Sequence, residues 1–189
     1  MQTLKIRIVF ISLLLTLSNL CLAEVTPMWQ SVIDGKSIII MRHALAPGTG
    51  DPDNFELRQC DTQRNLSETG RQQARRIGTD FKKLGITDAK VYSSQWCRCL
   101  DTATEMNIGK LQELPLLNSF FTNREVGPAQ IAKLKLWLKK QSTDKPIVLV
   151  THQVVITALT GIYPSSGDAV IFQLTDESDI EVLGSVAAN

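Results

Sequence analysis

The sequence predicts an α/β domain of three layers, α/β/α, with helices on both faces of a mostly parallel central sheet. Three observations predict it. Two short, continuous apolar runs, Ser37-Ile38-Ile39-Ile40-Met41 and Ile147-Val148-Leu149-Val150, have the length and composition of strands buried on both faces. Between such runs the apolar period changes to that of an amphipathic helix. Strand and helix patterns then alternate, which implies parallel strands joined by helical crossovers.

Taken in order, the chain opens with Lys5 and Arg7, an apolar run from Ile8 to Leu17, and Ser18-Asn19-Leu20-Cys21-Leu22-Ala23, with Cys21 and Ala23 placed as the small residues of a cleavage site. This reads as a secretory signal peptide over 1–23, leaving a single domain over 24–189. The run is interrupted by Ser12, Thr16, Ser18 and Asn19 and falls short of the roughly 20 apolar residues of a membrane span. No stable membrane insertion is expected after cleavage, and the mature protein is expected to be periplasmic or secreted.

Ser37 to Met41 is the first strand. Ala74, Ile77, Phe81 and Leu84 fall on one face of a helix expected from Ser67 to Leu84, which Gly85 stops. Lys90-Val91-Tyr92-Ser93 is a shorter strand, followed by a helix expected from Ser94 to Met106. Ile131, Leu134 and Leu138 repeat the helical period after Pro128, a residue suited to a first helical turn. Ile147 to Val150 is the next strand and Val154 to Leu159 a short helix. Ala169 to Leu174 and Ile180 to Leu183, separated by Thr175-Asp176-Glu177-Ser178-Asp179, form a terminal hairpin.

Hydrophobic residues make up 43% and charged residues 21% of the 189, a globular composition that excludes disordered, collagen-like and multi-pass membrane chains. Lys plus Arg number 20 against 19 Asp plus Glu, and loss of Lys5 and Arg7 leaves 18 against 19. Such a chain has no global field to gather nucleic acid or anionic membrane, and no nucleic-acid partner is expected.

The only two histidines, His43 and His152, each follow one of the apolar runs by two residues. Both therefore fall at carboxyl ends of central strands, where open α/β sheets place their ligand crevice. One histidine there is commonly a satisfied core residue, but both at equivalent strand ends point to a site. Arg42 precedes His43, and Arg98 falls on the first turn of the helix after Ser93. Two guanidiniums and two imidazoles aimed at one crevice suit a tetrahedral dianion, because the guanidinium fork matches phosphate oxygens.

Export would place Cys60, Cys97 and Cys99 in an oxidising compartment, where thiols pair. Three cysteines allow one internal bridge, from Cys60 to Cys97 or to Cys99, closing a loop of about 40 residues. Cys97-Arg98-Cys99 has the wrong spacing for zinc, and the histidines do not flank it at a ligating distance.

Met41-Arg42-His43-Ala44 resembles the Arg-His-Gly motif of the histidine phosphatase superfamily, the group related to phosphoglycerate mutase. Leu66-Ser67-Glu68-Thr69-Gly70-Arg71-Gln72-Gln73-Ala74 resembles its Leu-Thr-x-x-Gly-x-x-Gln-Ala segment. Val91-Tyr92-Ser93-Ser94, Arg98 and Thr102-Ala103 resemble the strand and helix that supply its second arginine, and Val150-Thr151-His152 its second histidine. The matches run in family order over about residues 37 to 174 and are similar to the compact branch that includes the phosphohistidine phosphatases.

The resemblance implies a phosphoglycerate mutase-like fold and a metal-independent phosphatase without cofactor, in which His43 attacks phosphorus and becomes phosphorylated. It implies that Arg42, Arg98 and His152 hold the equatorial oxygens, and that Thr49 is a polar phosphate contact. The substrate would be a small phosphomonoester or phosphoramidate, or a phosphorylated envelope component such as a lipopolysaccharide core sugar. The alternative is a catalytically weak phosphate-binding module. Relatives carry a glutamate acid in a Leu-x-Glu context, whereas here Leu114 to Phe121 places Asn118 or Ser119 at that point. Glu125, Asp51 and Asp53 are the substitute proton donors at hand. Gln153 either adds a polar group beside the phosphate or begins a helix. The long stretch Ala44 to Asn65 lacks any period and reads as a substrate-binding lid pinned by Cys60. A calcium loop over Asp51, Asp53, Asn54 and Glu56 lacks the EF-hand ligand order and glycine, and no metal is expected.

Overall fold

In the computed structural model, which describes residues 26–142, 144–175 and 179–188, both continuous apolar runs are strands in the middle of one sheet. The expected signal peptide, 1–23, lies outside the described residues. The strands are β1 (Ile38–Arg42), β2 (Ala89–Ser93), β3 (Gly109–Glu113), β4 (Ile147–Thr151), β5 (Ala169–Leu174) and β6 (Ile180–Val186). The helices are α1 (Pro27–Ile33), α2 (Glu68–Lys83), α3 (Cys97–Met106), α4 (Gly127–Leu138) and α5 (Gln153–Thr160). Strand order is β3-β2-β4-β1-β5-β6. The first four lie parallel, and β5 runs antiparallel to both β1 and β6, so the terminal hairpin caps one edge of a mostly parallel sheet.

The apolar runs are continuous because the sheet is covered on both faces. Ile39 and Met41 pack with Ala74, Ile77 and Phe81 of α2 and Ala103 and Met106 of α3. Ile38 and Ile40 pack on the opposite face with Leu134 and Leu138 of α4 and Ile156 and Leu159 of α5. Ile39, Ile40, Met41 and Leu149 are fully buried, each contributing roughly 1.5–3 kcal/mol of hydrophobic transfer.

Three elements differ from the sequence expectation. β3 was not expected, since Gly-Lys-Leu-Gln-Glu is an exposed edge strand whose side chains carry no apolar alternation. α1 is a two-turn helix opened by Pro27 that buries only Val32. α3 begins at Cys97 rather than Ser94, because Ser94, Gln95 and Trp96 form a loop whose polar groups are used elsewhere.

The segment that opens α2 locks the site loops together. Ser67 caps the helix by accepting from the Gly70 N–H at 3.0 Å. Gly70 packs so closely that a Cβ there would lie 2.1 Å from the Leu45 carbonyl oxygen, which excludes every other residue. One turn on, the Gln73 amide accepts from the Leu45 N–H and donates to the Ser166 carbonyl, both at 3.0 Å. The loop after β1 and the loop before β5 are thereby tied to one helix.

Cys60 pairs with Cys97, Cα to Cα 5.7 Å, across 37 residues of chain, and Cys99 stays free and buried. Two positions along a helix is a rotation of about 200°. Cys97 therefore faces the loop while Cys99 faces the core, which settles the choice the sequence left open.

Candidate active site

The carboxyl ends of β1 and β4 open into a cavity of about 500 Å³ lined by Arg42, His43, Arg98 and His152. His43 and His152 meet edge to face, with ring centroids 5.6 Å apart. The His43 Nδ1 is 2.8 Å from the carbonyl oxygen of Ala44 and donates to it, which leaves Nε2 as the unprotonated nitrogen. Burial first, and then the charge of Arg98, push His43 down to about 3. The ring is neutral with its lone pair available at any ordinary pH. Burial and the same guanidinium push His152 well below its usual value. Its Nε2 lies 2.8 Å from the Ser94 hydroxyl and its Nδ1 3.4 Å from Arg98. The Ser94 hydroxyl in turn donates to Asn118 Oδ1 at 3.2 Å.

Arg98, only 3% exposed, is held end-on by a carboxylate. Its two terminal nitrogens donate to Asp51 at 2.6 and 3.2 Å, and Nη1 also reaches the Arg64 carbonyl at 3.2 Å. Asp51 accepts further from the Arg64 backbone N–H and from the Trp96 indole, both at 3.1 Å. Burial alone would raise the Asp51 carboxyl, but these donors outweigh it and hold it below the usual carboxylate range. The Nε groups of Arg42 and Arg98 are buried and have no protein partner. Both arginines also line the cavity, where their guanidinium forks suit an oxyanion.

Asp51 and Asp53 line this cavity, as do Thr49 and Gln153. Gln153 begins α5 and donates to Thr157 at 2.7 Å. Glu125 is exposed in a short 3-10 turn and is not among the lining residues, so of the three substitute donors it alone lies outside the cavity. Asn118, in the stretch where relatives carry the acid, spends its amide on organising the Ser94-Gln95 loop: Oδ1 accepts from the Gln95 N–H at 2.9 Å and Nδ2 donates to Gln95 Oε1 at 3.0 Å. Ser119 lines the cavity.

Sequence reasoning missed Arg64, a third guanidinium in the lining, whose side chain donates to the carbonyl oxygens of Gly50 and Ala46. Its only local signal is its place two residues before the Leu66-Ser67 helix start. With the histidines neutral, Arg42, Arg64 and Arg98 against Asp51 and Asp53 leave the lining with a net formal charge of about one positive, favourable to a phosphate dianion. Cys99 touches His152, Sγ to Nε2 3.5 Å, but burial pushes its thiol up to about 12, which makes it inert.

The family model of the histidine phosphatase superfamily, branch 1, matches residues 38–119, which include both arginines and His43. That stretch of the chain is similar to the histidine phosphatase superfamily. Among solved structures, the chain is similar to the protein histidine phosphatase SixA complexed with tungstate, at 15% identity over 80% of this chain and 96% of that one, TM-score 0.59. It is similar to phosphoserine phosphatase from Entamoeba histolytica in complex with 3-phosphoglyceric acid, at 18% identity over 81% and 98%, TM-score 0.59. A mycobacterial glucosyl-3-phosphoglycerate phosphatase aligns at 15% identity over 81% and 99%, TM-score 0.53. At such identities the likeness is one of fold, and it agrees with the phosphoglycerate mutase-like architecture read from the sequence. No curated protein matches the chain.

Proposed function

We propose that this chain is a histidine phosphatase superfamily hydrolase that removes phosphate from small phosphomonoesters or phosphoramidates through a covalent phosphohistidine on His43. One observation carries the reading: His43, its Nε2 unprotonated, lines a cavity that three guanidiniums, Arg42, Arg64 and Arg98, line as well. The Nε2 lone pair attacks phosphorus, the bond to the leaving atom breaks, and its electron pair departs with that atom. Arg42, Arg98 and Arg64 hold the equatorial oxygens as charge shifts, with His152 positioning Arg98 through Nδ1, so guanidiniums supply the positive charge that phosphoryl transfer needs most. Water then attacks the phosphohistidine, releasing orthophosphate and restoring the neutral ring. No step calls for a cofactor. Asp51, held ionised by Arg98, is a poor proton donor, and Asp53 is the one other carboxyl of the lining among the described residues; on this reading leaving groups depart with little protonation.

The reading includes export to an oxidising compartment, supported by the Cys60–Cys97 pairing. A weakly active phosphate-binding module is the second reading, favoured by the neutral amide of Asn118 where relatives carry an acid. Hydrolysis of p-nitrophenyl phosphate by the protein from residue 24 onward, with and without chelator, decides between them. Metal-independent release of p-nitrophenol that His43→Ala abolishes supports the enzyme. Stoichiometric phosphate binding with no turnover in the wild type supports the binder.

A further inference from the structure

The cavity of about 500 Å³ is much larger than a phosphate group and falls in the range of small-molecule sites. Its inner end is the arginine and histidine cluster; its outer part is aromatic. Trp96 packs edge to face on His152, centroids 5.2 Å apart, and Phe55 stacks on Trp96 at 5.0 Å with the planes 19° apart. Tyr163 and Phe121 also line the cavity.

Phe121 and Tyr163, 43% and 74% exposed, are the only two exposed aromatic side chains among the described residues, and both line this cavity. Every other described ring is wholly or half buried. Keeping two rings in water at one mouth forgoes their hydrophobic burial, and exposed apolar surface of this kind marks a ligand site. The Arg124 guanidinium lies over one face of Phe121, 5.3 Å from the centroid, so the ring has one face left to offer. Thr49, Thr122 and Gln153 add neutral hydrogen-bonding groups to the lining.

We infer that the substrate of this site is a ring-bearing phosphomonoester or phosphoramidate, whose phosphoryl group sits against His43 and whose ring lies on the aromatic mouth formed by Phe55, Trp96, Phe121 and Tyr163. The inference rests on the phosphatase reading and adds the leaving group to it. A small acyclic alcohol such as glycerol leaves that mouth empty. An aromatic ring and the C–H face of a sugar ring share the required chemistry, an apolar flat face.

Phosphonates test the mouth without the chemistry, because their C–P bond is not cleaved and leaving-group reactivity drops out. Binding of orthophosphate, methylphosphonate, phenylphosphonate and cyclohexylphosphonate is measured by calorimetry on the wild type, Phe121→Ala and Tyr163→Ala. Both substitutions are at exposed positions and leave the core intact. Phenylphosphonate is expected to bind about tenfold tighter than methylphosphonate, the effect of one stacked ring. Each substitution is expected to cut that ratio severalfold while leaving orthophosphate affinity unchanged. Preference for phenyl over cyclohexyl assigns a planar ring; equal binding assigns a saturated one such as a sugar. Equal affinity for methyl and phenyl in the wild type, or a ratio that survives both substitutions, overturns the aromatic mouth while the phosphatase reading stands. Failure of orthophosphate itself to bind overturns both.

Discussion

Replacing Asp51 by Asn isolates the charge that holds Arg98. The guanidinium side chain is 4% exposed and its partner carboxylate 18% exposed, and the change keeps shape and one acceptor but removes the charge. Taking one partner from a buried ion pair costs about 3–5 kcal/mol, because the remaining charge stays buried and unpaired. The amide still accepts, which places the loss near the lower end, about 3 kcal/mol. For a domain of this size that is a fall of about 6–12 °C in Tm. The carboxyl is held below its ordinary value of about 3.9 in the folded state. Its stabilisation is therefore complete above that value and disappears as pH falls through the lower folded value. Wild type and variant should differ fully at pH 7 and converge in strong acid. The variant also carries one more net positive charge in the cavity, so orthophosphate should bind it more tightly and restore part of its stability. Turnover should nevertheless drop, since Arg98 is no longer oriented. Urea unfolding at pH 7 and pH 3, with and without orthophosphate, supplies every quantity. A variant as stable as wild type at pH 7, with unchanged phosphate affinity, would show that the Asp51 charge does not hold Arg98.

Four further outcomes are expected. His43→Ala should abolish turnover and retain its fold by circular dichroism, whereas Arg42→Ala and Arg98→Ala should each lose about 10²–10³ in kcat, as for a lost oxyanion donor, and His152→Ala should also lower kcat by releasing Arg98. Both histidines are neutral when folded and titrate near 6.5 when unfolded, so stability should be flat above that pH and fall by up to about 2.7 kcal/mol per pH unit below it, until the folded values are reached; a urea series from pH 8 to pH 4 checks this. Cys60→Ser should cost about 4 kcal/mol, from the 37-residue separation, and a non-reducing peptide map should join Cys60 to Cys97 while Cys99 resists alkylation until the protein unfolds. Rates over a series of substituted phenyl and alkyl phosphates should depend steeply on leaving-group pKa and be unchanged in Glu125→Gln; a flat series that steepens in that variant would make Glu125 the acid despite its place outside the cavity.

What the sequence determined by itself is whatever depends on local pattern. The apolar runs at Ile38 to Met41 and Ile147 to Val150 become central strands because only a sheet covered on both faces can bury four consecutive apolar residues. The α2 start is written in Ser67 and Gly70, one a cap and the other a close approach. His43 and His152 share a cavity because strand ends in a parallel sheet open on the same side. Contacts between distant, irregular segments needed the tertiary structure. Asp51 meets Arg98 across 47 positions, Arg64 enters the cavity from the same loop, and neither carries a period that would announce it. Polar β3 gained its place from its neighbour β2, not from its own side chains. Cys97 rather than Cys99 meets Cys60 because the helix turns one thiol to the loop and the other to the core. The four aromatic residues of the cavity mouth, 55, 96, 121 and 163, come from four separate segments. A one-dimensional pattern records what each residue needs, and only the closed fold decides which residues supply it.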